Sequence, residues 1–201
     1  MQSFELFWRA KPQACVALTI TLLACAACEA DTTDRASKTK WADPALKAAY
    51  VREHRAKSPI LENASASIQA AVQAYADAFC RADRLPADRS FSGREHREML
   101  WVHLPAADKP GAVNNPDSYY ETVETLGRLA FPRLQAEFAK GCVTIIRVSR
   151  RRPPEVYGPF TLHYPGEVEY RRADGSTGRT ELVRTVAEVN GRYKLAQIGP
   201  G

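Results

Sequence analysis

At Gly141 the hydrophobic pattern of this 201-residue chain changes its period, and that change constrains the fold more than any other feature. Before it, apolar residues recur at helical spacing. In "SASIQAAVQAYADAFCRADR", Ile68, Val72, Tyr75 and Phe79 form one stripe, the mark of a helix with a single buried face. "SGREHREMLWVHLP" opens with Ser92 and Glu95 at capping-box spacing and closes at Pro105. Beyond a loop rich in Pro, Gly and Asn, "SYYETVETLGRLAFPRLQAEFAKG" reads as a long helix. Its expected core positions are Tyr120, Val123, Leu126, Leu134 and Phe138. Pro132 should kink or break that helix, because proline lacks a backbone donor and crowds the preceding turn.

After Gly141 the period becomes two. "CVTIIRVSR" is rich in β-branched residues. In "FTLHYPGEVEYRR", Phe160, Leu162, Tyr164, Val168 and Tyr170 are expected on one face, with Thr161, His163, Glu167, Glu169 and Arg171 on the other. Pro165-Gly166 marks a bulge or bend within it. "ADGSTG" makes a turn into "RTELVRTVAEV", and Asn190-Gly191 is a hairpin signal before "RYKLAQIG". Between the first two strands, Arg147, Arg150, Arg151 and Arg152 lead into Pro153-Pro154. That run reads as a solvated hairpin turn, or, on a tethered protein, as a contact with anionic lipid head groups. Three helices followed by four antiparallel strands give an α+β layout rather than alternating α/β.

The other strong signal is at the N-terminus. Arg9 and Lys11 precede an uncharged run, "ACVALTITLLA", that ends at Ala24. It is too short for a bilayer-spanning helix, which needs about 20 apolar residues. A charged start, a short apolar run and small residues at its end are the pattern of a secretory signal peptide, here residues 1–24. The end of the run resembles a bacterial lipobox. Cleavage before Cys25 places Leu22, Leu23 and Ala24 upstream, whereas cleavage before Cys28 places a cysteine at the third upstream position. Cys25 is therefore the better lipidation site and Cys28 the alternative. Residues 25–64, polar at first, read as a lipidated tether holding a short helix that starts at Asp43-Pro44 and lies on the domain surface. The folded domain is expected over 65–201. A lipoprotein of this kind would sit in the bacterial cell envelope, facing the periplasm or the outer surface.

The closing stretch "VEYRRADGSTGRTELVRTVAEVNGRYKLAQIG", with Asn190-Gly191, Tyr193-Lys194 and Leu195, resembles the final hairpins of SnoaL-like domains. Together with the helix-before-strand order, it is similar to the NTF2-like (cystatin-like α+β) superfamily. The resemblance implies a curved sheet wrapped around a long helix to form a cone. It also implies a pocket lined by the helix stripes and the inward sheet face.

Chemistry-bearing motifs are sparse. The four histidines form no HExxH, His-x-His or Cys/His cluster, so no metal site and no cofactor are expected. No nucleophile elbow or phosphate loop occurs, and a net charge of +5 without a long basic run gives no support for nucleic-acid binding. The candidate ligand-binding residues are Tyr75, Trp101, His103, Tyr164 and Tyr170, each of which could equally serve the core. Asp77 lies about 200° around the helix from Tyr75 and should face solvent. His163, Glu167 and Glu169 share an expected face, either as an acid/base cluster or as a solvated surface. In an oxidising compartment Cys80 and Cys142 are candidates for a disulfide. The leading functional reading is a non-catalytic, membrane-anchored domain that binds a small apolar ligand or a protein partner. The alternatives are a SnoaL-like isomerase, dehydratase or hydrolase using a cavity acid/base pair, and a homodimeric scaffold.

Overall fold

The computed structural model describes residues 40–82, 86–138 and 141–200. Cys25, Cys28 and the signal-peptide reading lie outside these residues. The architecture is α+β: helices precede a curved antiparallel sheet of five strands.

Helix α1 (Pro44–Arg55) starts where Asp43 and Pro44 place it. The Asp43 carboxylate accepts the Ala45 N–H at 2.8 Å, and proline occupies the first turn. The helix buries Val51 against Trp101, Val102 and Ala107. Just ahead of it, Trp41 is 3% exposed, and its indole N–H donates to Asp117 at 2.7 Å. Leu61 and Ala64 enter a second apolar cluster beneath the sheet. Residues 41–64 therefore pack into the folded unit rather than trailing along its surface.

Helix α2 (Ile68–Ala82) buries the stripe Val72, Tyr75 and Phe79 together with Ala71 and Ala76. A disulfide joins Cys80 near its end to Cys142. A π-helical turn (Glu95–Leu100) and two short 3-10 turns (Trp101–His103 and Pro105–Asp108) follow. Helix α3 (Pro116–Phe138) runs unbroken through Pro132. Pro132 is solvent-exposed, so water can satisfy the carbonyl one turn back that proline cannot bond. The fully buried positions of α3 are Gly127, Ala130, Leu134 and Phe138. Tyr120, Val123 and Leu126 are only half-buried.

The strands are β1 (Val143–Tyr157), β2 (Phe160–Arg172), β3 (Thr177–Thr180), β4 (Val183–Val189) and β5 (Arg192–Ile198). Their order is β1-β2-β4-β5, with β3 paired to β2. Five strands replace the expected four because the chain leaves the ladder at Glu181-Leu182, which separates β3 from β4. The arginine run is not a turn. β1 continues through Pro153-Pro154, and the hairpin closes at Gly158, where φ is +56°. Proline is tolerated there because β1 is an edge strand. Asn190 and Gly191 both adopt positive φ, 51° and 72°, as the tight hairpin turn between β4 and β5 requires.

The bulge at Pro165-Gly166 has a larger effect than the alternation implies. Val148 pairs with Val168 and Arg150 with Pro165, so β2 carries an extra residue there. A one-residue shift sends side chains to the opposite face. Phe160 and Leu162 accordingly pack with Phe91 and Leu100, whereas Val168 and Tyr170 pack with α2 and α3. His163 lies on the α2 side and does not share a face with Glu167 and Glu169. Glu167 pairs with Arg179 at 3.5 Å and Glu169 with Arg147 at 3.6 Å, so the three residues form no acid/base cluster.

One ion pair fixes the turn before α3 to the sheet. Lys194 of β5 donates to both carboxylate oxygens of Glu95, at 2.8 and 2.9 Å, with the side chains only 4% and 6% exposed. Breaking such a pair strands a charge in the interior. Lys194→Met is expected to cost about 3–5 kcal/mol in urea unfolding, and the double change Glu95→Leu with Lys194→Met markedly less. Equal losses would show that the pair contributes only as packing.

Candidate functional site

A cleft of about 350 Å3 lies between α2, the loop before the π-helical turn, α3 and β5. Its wall is mostly apolar, drawn from Phe91, Tyr120, Val123 and Leu195, with Tyr75 and His96 also lining it. The half-buried stretch of α3 is the part that borders this space, which is why its apolar residues are not sealed.

His96 is placed there by its neighbour. The capping box forms: the Ser92 N–H donates to Glu95 at 2.7 Å, and the Glu95 N–H donates to the Ser92 hydroxyl at 3.2 Å. With Glu95 also held by Lys194, the next side chain turns into the aromatic surroundings of the cleft. The His96 ring lies 5.4 Å from Phe91 and 5.8 Å from each of Tyr119 and Tyr120. Tyr75 reaches the same space from the buried stripe of α2.

Each of these two residues presents a polar atom without a partner. Tyr75 Oη and His96 Nδ1 are buried and make no hydrogen bond among the described residues, although both side chains are 2% exposed. Burial pushes the His96 pKa down to about 4, against the opposing effect of its hydrogen bond to the Ala196 backbone; Arg97 and Lys194 lower it further. Burial likewise raises the Tyr75 phenol above its ordinary range. Near neutral pH both groups are uncharged. The Ala196 bond occupies the other imidazole nitrogen, so Nδ1 offers a lone pair. Tyr75 offers an O–H. One acceptor and one donor in a mostly apolar cleft suit a hydroxyl, which can donate to the first and accept from the second.

The other residues singled out from the sequence do not converge on this cleft. Trp101 is buried in the cluster under α1, with the Lys47 ammonium 5.5 Å from its ring. Tyr170 is core, edge-on to Phe138 at 5.3 Å. Tyr164 donates to Glu155 at 2.7 Å and carries the Arg152 guanidinium over its ring at 3.5 Å. His103 sits against Phe160 at 5.7 Å, and burial, then Arg55, lowers its pKa. Asp77 is half-buried and accepts a hydrogen bond from Gln73 at 2.7 Å. Of the five candidates, Tyr75 alone lines the cleft. His96 was not foreseen, and the signal that could have found it was the capping box beside it.

The depressed His96 pKa has a thermodynamic consequence. An exposed imidazole takes a proton near 6.5 and the buried one near 4. Between those values the unfolded chain binds more protons than the folded one, so stability falls as pH falls through this window, by up to about 3 kcal/mol from this group. Urea midpoints measured at pH 7 and pH 4.5 should show that loss, and His96→Leu should lose correspondingly less. An identical pH dependence in the variant would mean that His96 is not buried neutral.

No family model matches the chain, and neither does any curated protein or solved structure.

Proposed function

We propose that this chain is an envelope-anchored lipoprotein whose NTF2-like domain binds a small, uncharged, largely apolar ligand carrying a hydroxyl. The observation that carries the reading is the pair of unpartnered polar atoms, Tyr75 Oη and His96 Nδ1, in a mostly apolar cleft whose other polar lining residues are Ser90, Ser92, Glu124 and Gln197. A buried polar group left without a bond costs about 1–3 kcal/mol, and a ligand hydroxyl supplies both missing partners at once. At about 350 Å3 the cleft falls within the range of small-molecule sites. The cone-like arrangement is supported by helices that precede a curved antiparallel sheet and by the packing of α2 and α3 on one of its faces.

Binding is favoured over catalysis by the protonation states. General acid/base work near neutrality needs a group titrating there, and His96, lowered to about 4, is a weak base. No carboxylate is hydrogen-bonded to it among the described residues.

The binding test uses β-naphthol and naphthalene, which share an apolar body and differ by one hydroxyl. With the full chain carrying Cys25→Ser and Cys28→Ser to prevent acylation, β-naphthol should bind about tenfold more tightly. Tyr75→Phe together with His96→Leu should abolish that preference while leaving naphthalene binding in place. Equal affinities in the parent chain would overturn the reading.

The anchor has its own test. Cys25→Ser should move the protein from the membrane to the soluble fraction. If Cys28→Ser alone does so, the lipidated residue is Cys28.

A further inference from the structure

A second and larger groove, of about 730 Å3, crosses β1 and β2 where the first turn of α2 and Tyr193 meet them. It shares no lining residue with the Tyr75–His96 cleft. Its shape comes from the bulge in β2. The Ser149 hydroxyl accepts the Glu167 N–H at 2.7 Å and donates to the Glu167 carbonyl at 2.9 Å, pinning the extra residue. A methyl group on Gly166 would come within 2.9 Å of that hydroxyl, so the close approach requires glycine. Pro165 then stands opposite Arg150, and the strand pair opens a depression floored by Ile68, Val148, Pro165 and Tyr193.

The charge on this groove has one sign. Its charged lining residues are Arg150 and Arg152, and no aspartate or glutamate among the described residues lines it; His163 lines it as well. Arg152 is held in place by its stack on Tyr164 at 3.5 Å and by Glu155 at 2.9 Å. Arg147 and Arg151 are paired with Glu169 and Glu181. Arg150 has no ion-pair partner among the described residues. His163 Nε2 lies 2.7 Å from Glu188, whereas its Nδ1 is buried and without a partner. In the neutral tautomer that donates Nε2–H to Glu188, Nδ1 is an acceptor.

We infer that this groove binds a single glycerophospholipid molecule with an anionic head group that carries a free hydroxyl. Arg150 and Arg152 take the phosphate oxygens, for which the guanidinium fork is suited. His163 Nδ1 accepts the head-group hydroxyl, and the apolar floor receives the start of the acyl chains. A bare anion would leave that floor in water, and a neutral apolar molecule would leave Arg150 uncompensated.

Calorimetric titration of the full chain carrying Cys25→Ser and Cys28→Ser tests this. Dihexanoylphosphatidylglycerol should bind, and dihexanoylphosphatidylcholine and glycerol phosphate should each bind at least about tenfold more weakly. Arg150→Gln should weaken phosphatidylglycerol binding about tenfold without altering the thermal midpoint. Arg147→Gln, outside the groove, should leave binding unchanged. Binding of either phosphatidylcholine or glycerol phosphate as tight as that of phosphatidylglycerol overturns the assignment, as does absence of phosphatidylglycerol binding or an equal loss in Arg147→Gln. The naphthol preference of the other cleft should survive Arg150→Gln, so the two sites can fail separately.

Discussion

The fully buried ion pair between Lys194 and Glu95 is the contact on which the arrangement of the helical half depends. Glu95 serves two structures at once: its carboxylate closes the capping box with Ser92 and receives the ammonium of β5. A charge with a single partner would be expensive to bury, but this carboxylate has bonds to both oxygens and a further backbone donor. The pair therefore fixes where the π-helical turn meets the sheet. His96 faces the cleft because Glu95 faces Lys194.

The edges of the sheet are managed with equal economy. β1 lies at one end of the strand order, where an open ladder would invite pairing with another chain. Gln73 of α2 accepts the Ile145 N–H at 2.7 Å and donates to the Val143 carbonyl at 2.9 Å. At the other end, Ser65 exchanges both backbone bonds with Tyr193, at 2.8 and 2.9 Å, and the Phe91 N–H bonds the Leu195 carbonyl. Side chains and loops thus do the work of missing strands. The same coverings bring the start of α2 onto the groove and Phe91 onto the cleft, so protecting the edges also builds both sites.

The sequence makes legible what is decided within a few residues. The α2 stripe, the Asp43-Pro44 start, the Ser92–Glu95 cap and the Asn190-Gly191 turn are local devices, and each appears where its residues stand. What failed was the carrying of local patterns across an irregularity. The alternation in β2 is real on either side of Pro165-Gly166, yet the bulge exchanges its faces and separates Leu162 from Val168. Pro153-Pro154 read as a turn because proline usually ends a strand, but an edge strand can carry it. Trp41 was missed because its role rests on Asp117, distant in sequence. For the site, aromatic character identified Tyr75 but could not separate it from Trp101 and Tyr170, which fill the interior.

The unpartnered atoms carry more functional meaning than the titratable groups that are paired. Lys194, Glu95, Arg152 and Glu155 all have their bonds, and their energies are accounted for within the fold. Tyr75 Oη and His96 Nδ1 do not, although phenylalanine or leucine would fill the same volume without stranding a polar atom. A fold stabilised by a net margin of about 5–15 kcal/mol gains nothing from two such groups in one cleft. Their cost falls away when one molecule satisfies both. The proposed ligand is neutral, because the burial that keeps His96 unprotonated penalises any charge brought beside it. The groove on β1 and β2 makes the opposite demand, with arginines at the solvent boundary where an anion can retain part of its hydration. In the proposed reading the two depressions, which share no lining residue although α2 borders both, take ligands of different charge.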